Sequence, residues 1–165
     1  MRFKEACVAT FVLAILLFFG PSAEAQLAKS GTYSGWFGWH SYGQTTDMGG
    51  KDSYWYGALN GAFRNDAGSG FMHNAAVICP GGGATIDGKT YVQGDCVLTD
   101  QDGDKAILIW DCAFDAQGRC PGPLTWVVGT GKYKGISGKG TFDGGFVRTG
   151  PQGYSFWKGE WKLPQ

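Results

Sequence analysis

From residue 31 onward, apolar and polar side chains alternate with a period of two along short runs, and Gly, Asp, Asn and Pro separate the runs. Helical periodicity is nearly absent after Ala25. This rhythm is typical of an antiparallel sandwich or barrel. Eight strands are enough to close a small barrel whose interior holds side chains or one small ligand. The pattern predicts eight strands, at about residues 31–39, 53–63, 70–79, 90–100, 104–112, 123–129, 136–147 and 153–162.

The strongest local prediction is a hairpin within GDCVLTDQDGDKAILIWDC, residues 94–112. The pair Asp102-Gly103 favours a two-residue type I′ turn, because both central positions of that turn need positive φ. A loop made of these two residues pairs Cys96 with Ile109. Cys112 then lies three positions beyond Ile109, on the opposite face of the sheet from Cys96.

The first 25 residues have the features of a secretory signal peptide. A basic start, MRFKEA, precedes the apolar run VATFVLAILLFF, and Ala23-Glu24-Ala25 has the small-x-small pattern of a cleavage site. An uncleaved anchor is the alternative, although the apolar run is too short to span a bilayer. We therefore expect cleavage after Ala25, a single domain over residues 26–165, and a periplasmic or secreted location.

Four of the five cysteines lie outside this segment, and an even number in an exported chain predicts two disulfides. Their spacing contains no C-x-x-C pair, so we expect no zinc site. The hairpin register disfavours a bridge between Cys96 and Cys112. Of the three possible connectivities, we expect Cys112–Cys120, which closes a short loop, and Cys79–Cys96, which joins neighbouring strands.

Charge and motifs argue against several partners. The formal net charge is zero, with 14 basic and 14 acidic residues and no long basic run, so we expect neither nucleic acid nor an anionic membrane as a partner. Asp100, Asp102 and Asp104 have the spacing that opens a calcium-binding EF-hand loop, but Lys105 replaces the glycine that such a loop needs. We interpret this segment as a solvated hairpin tip and expect no metal and no cofactor.

The stretch VVGTGKYKGISGKGTF, residues 127–142, has glycine at five of its sixteen positions. GTGKYKG matches neither a P-loop nor a dinucleotide-binding loop. We interpret the glycines as a tight turn followed by a sharply bending strand, which barrel closure requires.

This stretch resembles the glycine-rich late-strand signature of the allene oxide cyclase barrel-like superfamily, which includes plant dirigent proteins and small exported bacterial proteins. CVLTDQDGDKAILIW resembles the hairpin of the bacterial members. The resemblance implies an eight-stranded antiparallel barrel with a central cavity. Plant members act as cyclases or guide radical coupling, but their acidic catalytic residues have no match in this sequence, so the resemblance implies the fold and not the activity.

Aromatic residues make up 15% of the chain and suggest two kinds of surface. Inward aromatic side chains either fill the barrel or line a cavity, and outward ones offer platforms for sugars or proteins. Trp157 and Trp161 are the candidates for outward platforms. The candidate ligand-binding residues are Trp39, Trp55, Tyr56, Asn60, His73, Trp110 and Trp126.

Catalytic groups are scarce. Residues 26–165 contain two histidines and one glutamate, and no G-x-S-x-G nucleophile motif is present. The catalytic candidates are His73, Tyr56 and His40. His73 lies in FMHNAAVIC, and if that run is a strand His73 shares a face with Phe71 and Ala75. A buried, hydrogen-bonded histidine is the alternative interpretation.

Three functional hypotheses follow. The first is an exported barrel that binds a small apolar or aromatic molecule without catalysis. The second is a cyclase, isomerase or lyase of the allene oxide cyclase or dirigent type. The third is a carbohydrate-binding module that uses exposed tryptophans.

Overall fold

A computed structural model describes residues 27–147 and 150–165, so the predicted signal peptide lies outside the described residues. The fold is an all-β closed barrel of eight antiparallel strands in sequence order, with β8 paired to β1, and the predicted fold class is confirmed. A 3₁₀ helix, Gly131–Tyr133, precedes β7. The strands are β1 (Ser30–Gly49), β2 (Asp52–Asn65), β3 (Ala75–Ile86), β4 (Lys89–Thr99), β5 (Lys105–Ala113), β6 (Gly122–Gly129), β7 (Gly138–Phe146) and β8 (Gln152–Lys162).

Alternate residues of each strand point into the barrel, as the period of two predicts. On β1, Tyr33, Phe37 and Trp39 are buried, while Trp36 between them is half exposed. Among the described residues, no helix has the length and apolar character needed to cross a membrane.

The two ends of the barrel differ. At one end, here called the packed end, the β2–β3 connection sends Phe71 and Met72 into the interior, where both are buried. The Phe71 ring stacks on Trp161 at 4.7 Å between centroids and also contacts Trp126 and Tyr133. The first and last described segments, residues 27–30 and 162–165, lie at this end. Leu163 donates a backbone hydrogen bond to Lys29. The opposite end, here called the open end, contains the cavity described below.

All eight predicted strands exist, but three boundaries were wrong, and one of them is the end of β3, which lies at Ile86 instead of residue 79. β1 is predicted to stop at residue 39 and continues to Gly49, because its second half pairs with β2 after the pairing with β8 ends at His40. β3 is predicted to begin at residue 70 and begins at Ala75. Met72 and Asn74 have positive φ values of 51° and 57°, which a strand does not accommodate.

The predicted hairpin register was wrong by one residue. Cys96 pairs with Leu108 instead of Ile109, and the connection spans residues 100–104. The reason is the carboxylate of Asp100, which accepts hydrogen bonds from the backbone N–H groups of both Asp102 and Asp104 and stabilises a longer turn. Gly103 still supplies the positive φ, at 86°.

The disulfide pairing is confirmed, although part of the argument for it fails. Cys79 is bonded to Cys96, with Cα atoms 4.0 Å apart, and Cys112 to Cys120, with Cα atoms 5.4 Å apart. In the observed register Cys96 and Cys112 are on the same, inward face, so face alone does not exclude a bridge between them.

The acidic hairpin tip is held by a lysine. The Lys132 ammonium lies 2.7 Å from the Asp100 carboxylate and also pairs with Asp102. Asp104 accepts a hydrogen bond from the Lys132 backbone N–H. The Lys132 ammonium thus pairs with two of the three carboxylates that have the spacing of a calcium loop. Within residues 27–147 and 150–165, no group of three or more His, Cys, Asp or Glu side chains is arranged to hold a metal ion.

Candidate functional site

A cavity of about 320 Å³ opens at the open end of the barrel. This volume is at the lower end of the range for small-molecule pockets, about 300–1,000 Å³. Phe37, Leu124, Trp157 and the Cys79–Cys96 disulfide line the cavity on the side of the packed end. Trp157 stacks on Phe63 of the packed end, with centroids 5.3 Å apart, so the cavity stops there.

Tryptophans of the cavity wall pack over inward glycines of neighbouring strands. A Cβ atom added at Gly43 or Gly57 would come within 2.6 or 2.8 Å of the Trp55 indole. Gly43 and Gly57 are directly paired across β1 and β2, so together they form the smooth surface on which Trp55 rests. Because the wall lacks side chains there, the indole leaves the lumen open.

The other two wall tryptophans follow the same rule. The Trp110 ring lies within 3.1–3.3 Å of the positions where Gly94 and Gly81 would carry Cβ atoms. A Cβ at Gly153 would overlap the Trp39 ring. The wall of the cavity therefore contains three tryptophan rings that each pack over inward glycines.

Phenylalanines surround the mouth. Phe146 contacts Trp39 edge to face, with centroids 5.0 Å apart, and stacks against Phe114 at 6.4 Å. Phe142 contacts Trp110 edge to face at 6.0 Å. Phe146 is half exposed, so its ring is the most accessible of this group to an entering molecule.

The polar groups of the cavity are mostly hydroxyls. Thr85 and Thr90 share a hydrogen bond of 2.9 Å between their hydroxyl oxygens, and Ser155 accepts one from the Trp157 indole N–H. Thr45, Ser53 and Tyr154 complete the polar lining. Among the described lining residues there is no Asp, Glu, Lys, Arg or His. An ion entering this lining would lose hydration without gaining a counter-charge, so the cavity favours uncharged molecules.

The resolved pKa shifts lie away from the cavity, at the packed end. Burial would raise the pKa of Asp100, but hydrogen bonds from Lys132 and Tyr133 outweigh burial and hold it below its ordinary value. Lys132 has a raised pKa because its two carboxylate partners outweigh its own desolvation. Burial raises the pKa of Tyr133 and raises that of Tyr33 to about 12.

The structure places the predicted ligand residues in several different parts of the barrel. Trp39, Trp55 and Trp110 line the cavity. Tyr56 and Asn60 lie on the outer face of β2, where the Tyr56 hydroxyl donates to Gln44 at 2.6 Å. Trp126 is buried in the packed end. That the three cavity tryptophans bind a ligand stays a prediction.

The histidines lie outside the cavity lining. His73 is in the turn before β3, not on the strand face expected for it, and its Nδ1 lies 3.2 Å from the backbone oxygen of Asn65. His40 lies on the outer face of β1 beside Tyr42, with ring centroids 5.2 Å apart. The interpretation of Trp157 and Trp161 as outward platforms was wrong, because they are 2% and 3% exposed.

Sequence reasoning missed the phenylalanines and both disulfides as parts of the cavity wall. Phe37 shares the inward face of β1 with Trp39, and this alternation is visible in the sequence. Phe114 lies in the loop that the Cys112–Cys120 disulfide closes, and loop residues carry no periodic signal.

No protein-family model and no curated protein matches the sequence. Among solved structures, the barrel is similar to that of the pterocarpan synthase dirigent protein, over 85% of this chain and 90% of that chain. The sequence identity is 10% and the TM-score is 0.45. At this identity and TM-score, the likeness supports no inference about a ligand, an activity or a partner.

Proposed function

We propose that this protein is an exported barrel that binds a small, uncharged, flat apolar molecule in the cavity at its open end. The supporting observation is the cavity wall, which combines tryptophan and phenylalanine rings with hydroxyls and, in the described part of the lining, has no ionised side chain. Aromatic walls and a few polar groups are the usual composition of a small-molecule site. A cyclase or lyase would need an acid or base at the reacting atom, and the described lining offers hydroxyls instead.

Export is part of the proposal. Two disulfides form and persist in oxidising compartments, and residues 1–25 have the pattern of a signal peptide. Native mass spectrometry of the protein recovered from an exporting host tests both parts. We expect the mass of residues 26–165 with two disulfides, together with additional mass that is lost on denaturation.

A fluorescence titration with N-phenyl-1-naphthylamine, an uncharged aromatic probe, tests the site itself. Trp55→Ala removes a cavity wall and is expected to weaken binding by about tenfold, which corresponds to about 1.4 kcal/mol. Trp36→Ala is the matched control, because Trp36 is half exposed on the outer face of the same sheet. Equal affinities of the two variants, or no binding by the unmodified protein, would contradict the proposal.

A further inference from the structure

A second surface feature, an open groove, runs along the outside of β3 and β4 near the open end. The outward residues of β3 are small there, namely Pro80, Gly82 and Ala84, whereas the flanking strands carry Tyr54 and Tyr91. Tyr54 pairs with Ala84, and Ala84 pairs with Tyr91. With strands about 4.8 Å apart, the two tyrosine backbones lie about 10 Å from each other.

The tyrosines present accessible ring surface. Tyr54 is 46% exposed and Tyr91 is 52% exposed. Tyr54 leans over Gly82, because a Cβ added at Gly82 would lie 3.1 Å from the Tyr54 hydroxyl. Tyr56 lies beside Tyr54 on the same outward face of β2, with ring centroids 6.4 Å apart and an interplanar angle of 29°. Glycine at position 82 thus lets an aromatic ring lie along the floor of the groove.

Hydrogen-bonding side chains stand along the β4–β5 side of the groove. Gln93 is directly paired with Asp111, and Asp95 follows on the same outward face of β4. No lysine or arginine is among the described residues that line the groove. In the part of the chain that the structure describes, Asp95 and Asp111 form no salt bridge. The groove therefore has negative charge and unused acceptor oxygens beside its aromatic rings.

We propose that this outer groove binds a glycan without negative charge, that is, a chain of neutral or amino-sugar pyranose units. One face of a pyranose ring is lined with C–H groups and packs on an aromatic ring, while its hydroxyl or ammonium groups donate to carboxylates and amides. Tyr54 and Tyr91 supply the rings, and Gln93, Asp95 and Asp111 supply the acceptors. The two carboxylates repel acidic sugars. This site is separate from the cavity and does not depend on the proposed function.

Isothermal titration of the protein with soluble hexasaccharides tests the proposal. The probes are hexamers of glucose, N-acetylglucosamine, glucosamine and galacturonic acid. We expect at least one of the first three to bind with a dissociation constant between about 10 μM and 1 mM, and the acidic hexamer not to bind. Failure of all three to bind, or preferential binding of the acidic hexamer, would overturn the proposal.

Matched variants locate the site. Tyr91→Ala is expected to weaken glycan binding at least tenfold, and Asp111→Asn to weaken it severalfold. Trp36→Ala, which removes an aromatic side chain of similar exposure on the outer face of β1, is expected to leave the affinity unchanged. All three variants should keep the unfolding midpoint and the affinity for N-phenyl-1-naphthylamine, which reports on the cavity. Glycan binding that persists in Tyr91→Ala would refute the assignment to this groove.

Discussion

At the scale of single residues, the cavity depends on tryptophan and glycine in neighbouring inward positions. Trp55 rests on Gly43 and Gly57, so the indole occupies space that two side chains would otherwise fill. The glycines weaken the strands locally, by roughly 0.5–1 kcal/mol each relative to alanine. In return, a large aromatic surface faces the lumen without closing it.

Gly57→Ala is expected to destabilise the protein by about 1–3 kcal/mol and to weaken binding of the naphthylamine probe. The added methyl group would meet the Tyr42 carbonyl oxygen and the Trp55 ring. Gly38→Ala is the control, because a Cβ at Gly38 has no atom within 4 Å. Urea unfolding of both variants measures the difference, and equal midpoints would show that the close approach at Gly57 has no energetic consequence.

The limits of residue-level prediction have a simple cause. Trp55 and Tyr56 were both predicted to bind ligand, yet adjacent residues of a strand point to opposite faces, so one of them must be outside. Alternation shows that the two differ and does not show which face is inward. The inward face is decided by the closure of the whole barrel, which brings Trp55 to Gly43.

At the scale of elements, ion pairs join the β4–β5 hairpin to the 3₁₀ helix. Asp100 is nearly buried, with 7% of its side chain exposed, and its carboxylate lies 2.7 Å from the Lys132 ammonium. Its pKa is held below the ordinary value of 3.8, so the fold favours the ionised form. That contribution to stability is present above about pH 4 and is lost as the pH falls through the lowered pKa.

Asp100→Asn is expected to lower stability at neutral pH by about 1–2 kcal/mol, because it replaces charged hydrogen bonds with neutral ones. It should also flatten the decline in stability between pH 5 and pH 2. Urea unfolding midpoints at pH 7, 5, 3 and 2 give both quantities. Asp87→Asn, at an exposed turn position, is the control. An acid decline as steep as that of the unmodified protein would argue against this ion pair.

Element positions were largely predictable, and element ends were not. Alternation places all eight strands, because each has one buried face. The hairpin register was missed because Asp102-Gly103 is a strong turn signal on its own, whereas the carboxylate of Asp100 stabilises a longer turn. The start of β3 was missed because Phe71 is apolar and looks like part of the strand in the sequence. In the structure it belongs to the preceding connection and packs on Trp161 inside the packed end.

At the scale of the whole molecule, the two disulfides lie at different depths of the cavity. The Cys79–Cys96 bond joins β3 and β4 beside the deep part of the cavity, and the Cys112–Cys120 bond closes the loop that carries Phe114 to the mouth.

Closure of the barrel follows from eight alternating strands. The cavity at one end does not, because it results from unequal filling by residues of the connections, which have no periodicity.

Removal of either disulfide by paired Cys→Ala substitution is expected to lower stability by about 3 kcal/mol. The Cys112/Cys120 pair is also expected to change the affinity for N-phenyl-1-naphthylamine more than the Cys79/Cys96 pair, because it releases Phe114 at the mouth. Urea unfolding and the fluorescence titration of both double variants measure these effects. A larger change in affinity for the Cys79/Cys96 pair would contradict the prediction that the Cys112–Cys120 bond has the greater effect on the mouth of the cavity.

The position of residues 27–30 and 162–165 at the packed end has a practical consequence. A solid support or a fused protein attached at either of these segments holds the barrel with its mouth directed away from the attachment point. The mouth and the outer tyrosines near it then remain accessible to solution. If the proposed binding holds, either of these two segments can therefore tether the barrel to a sensor surface.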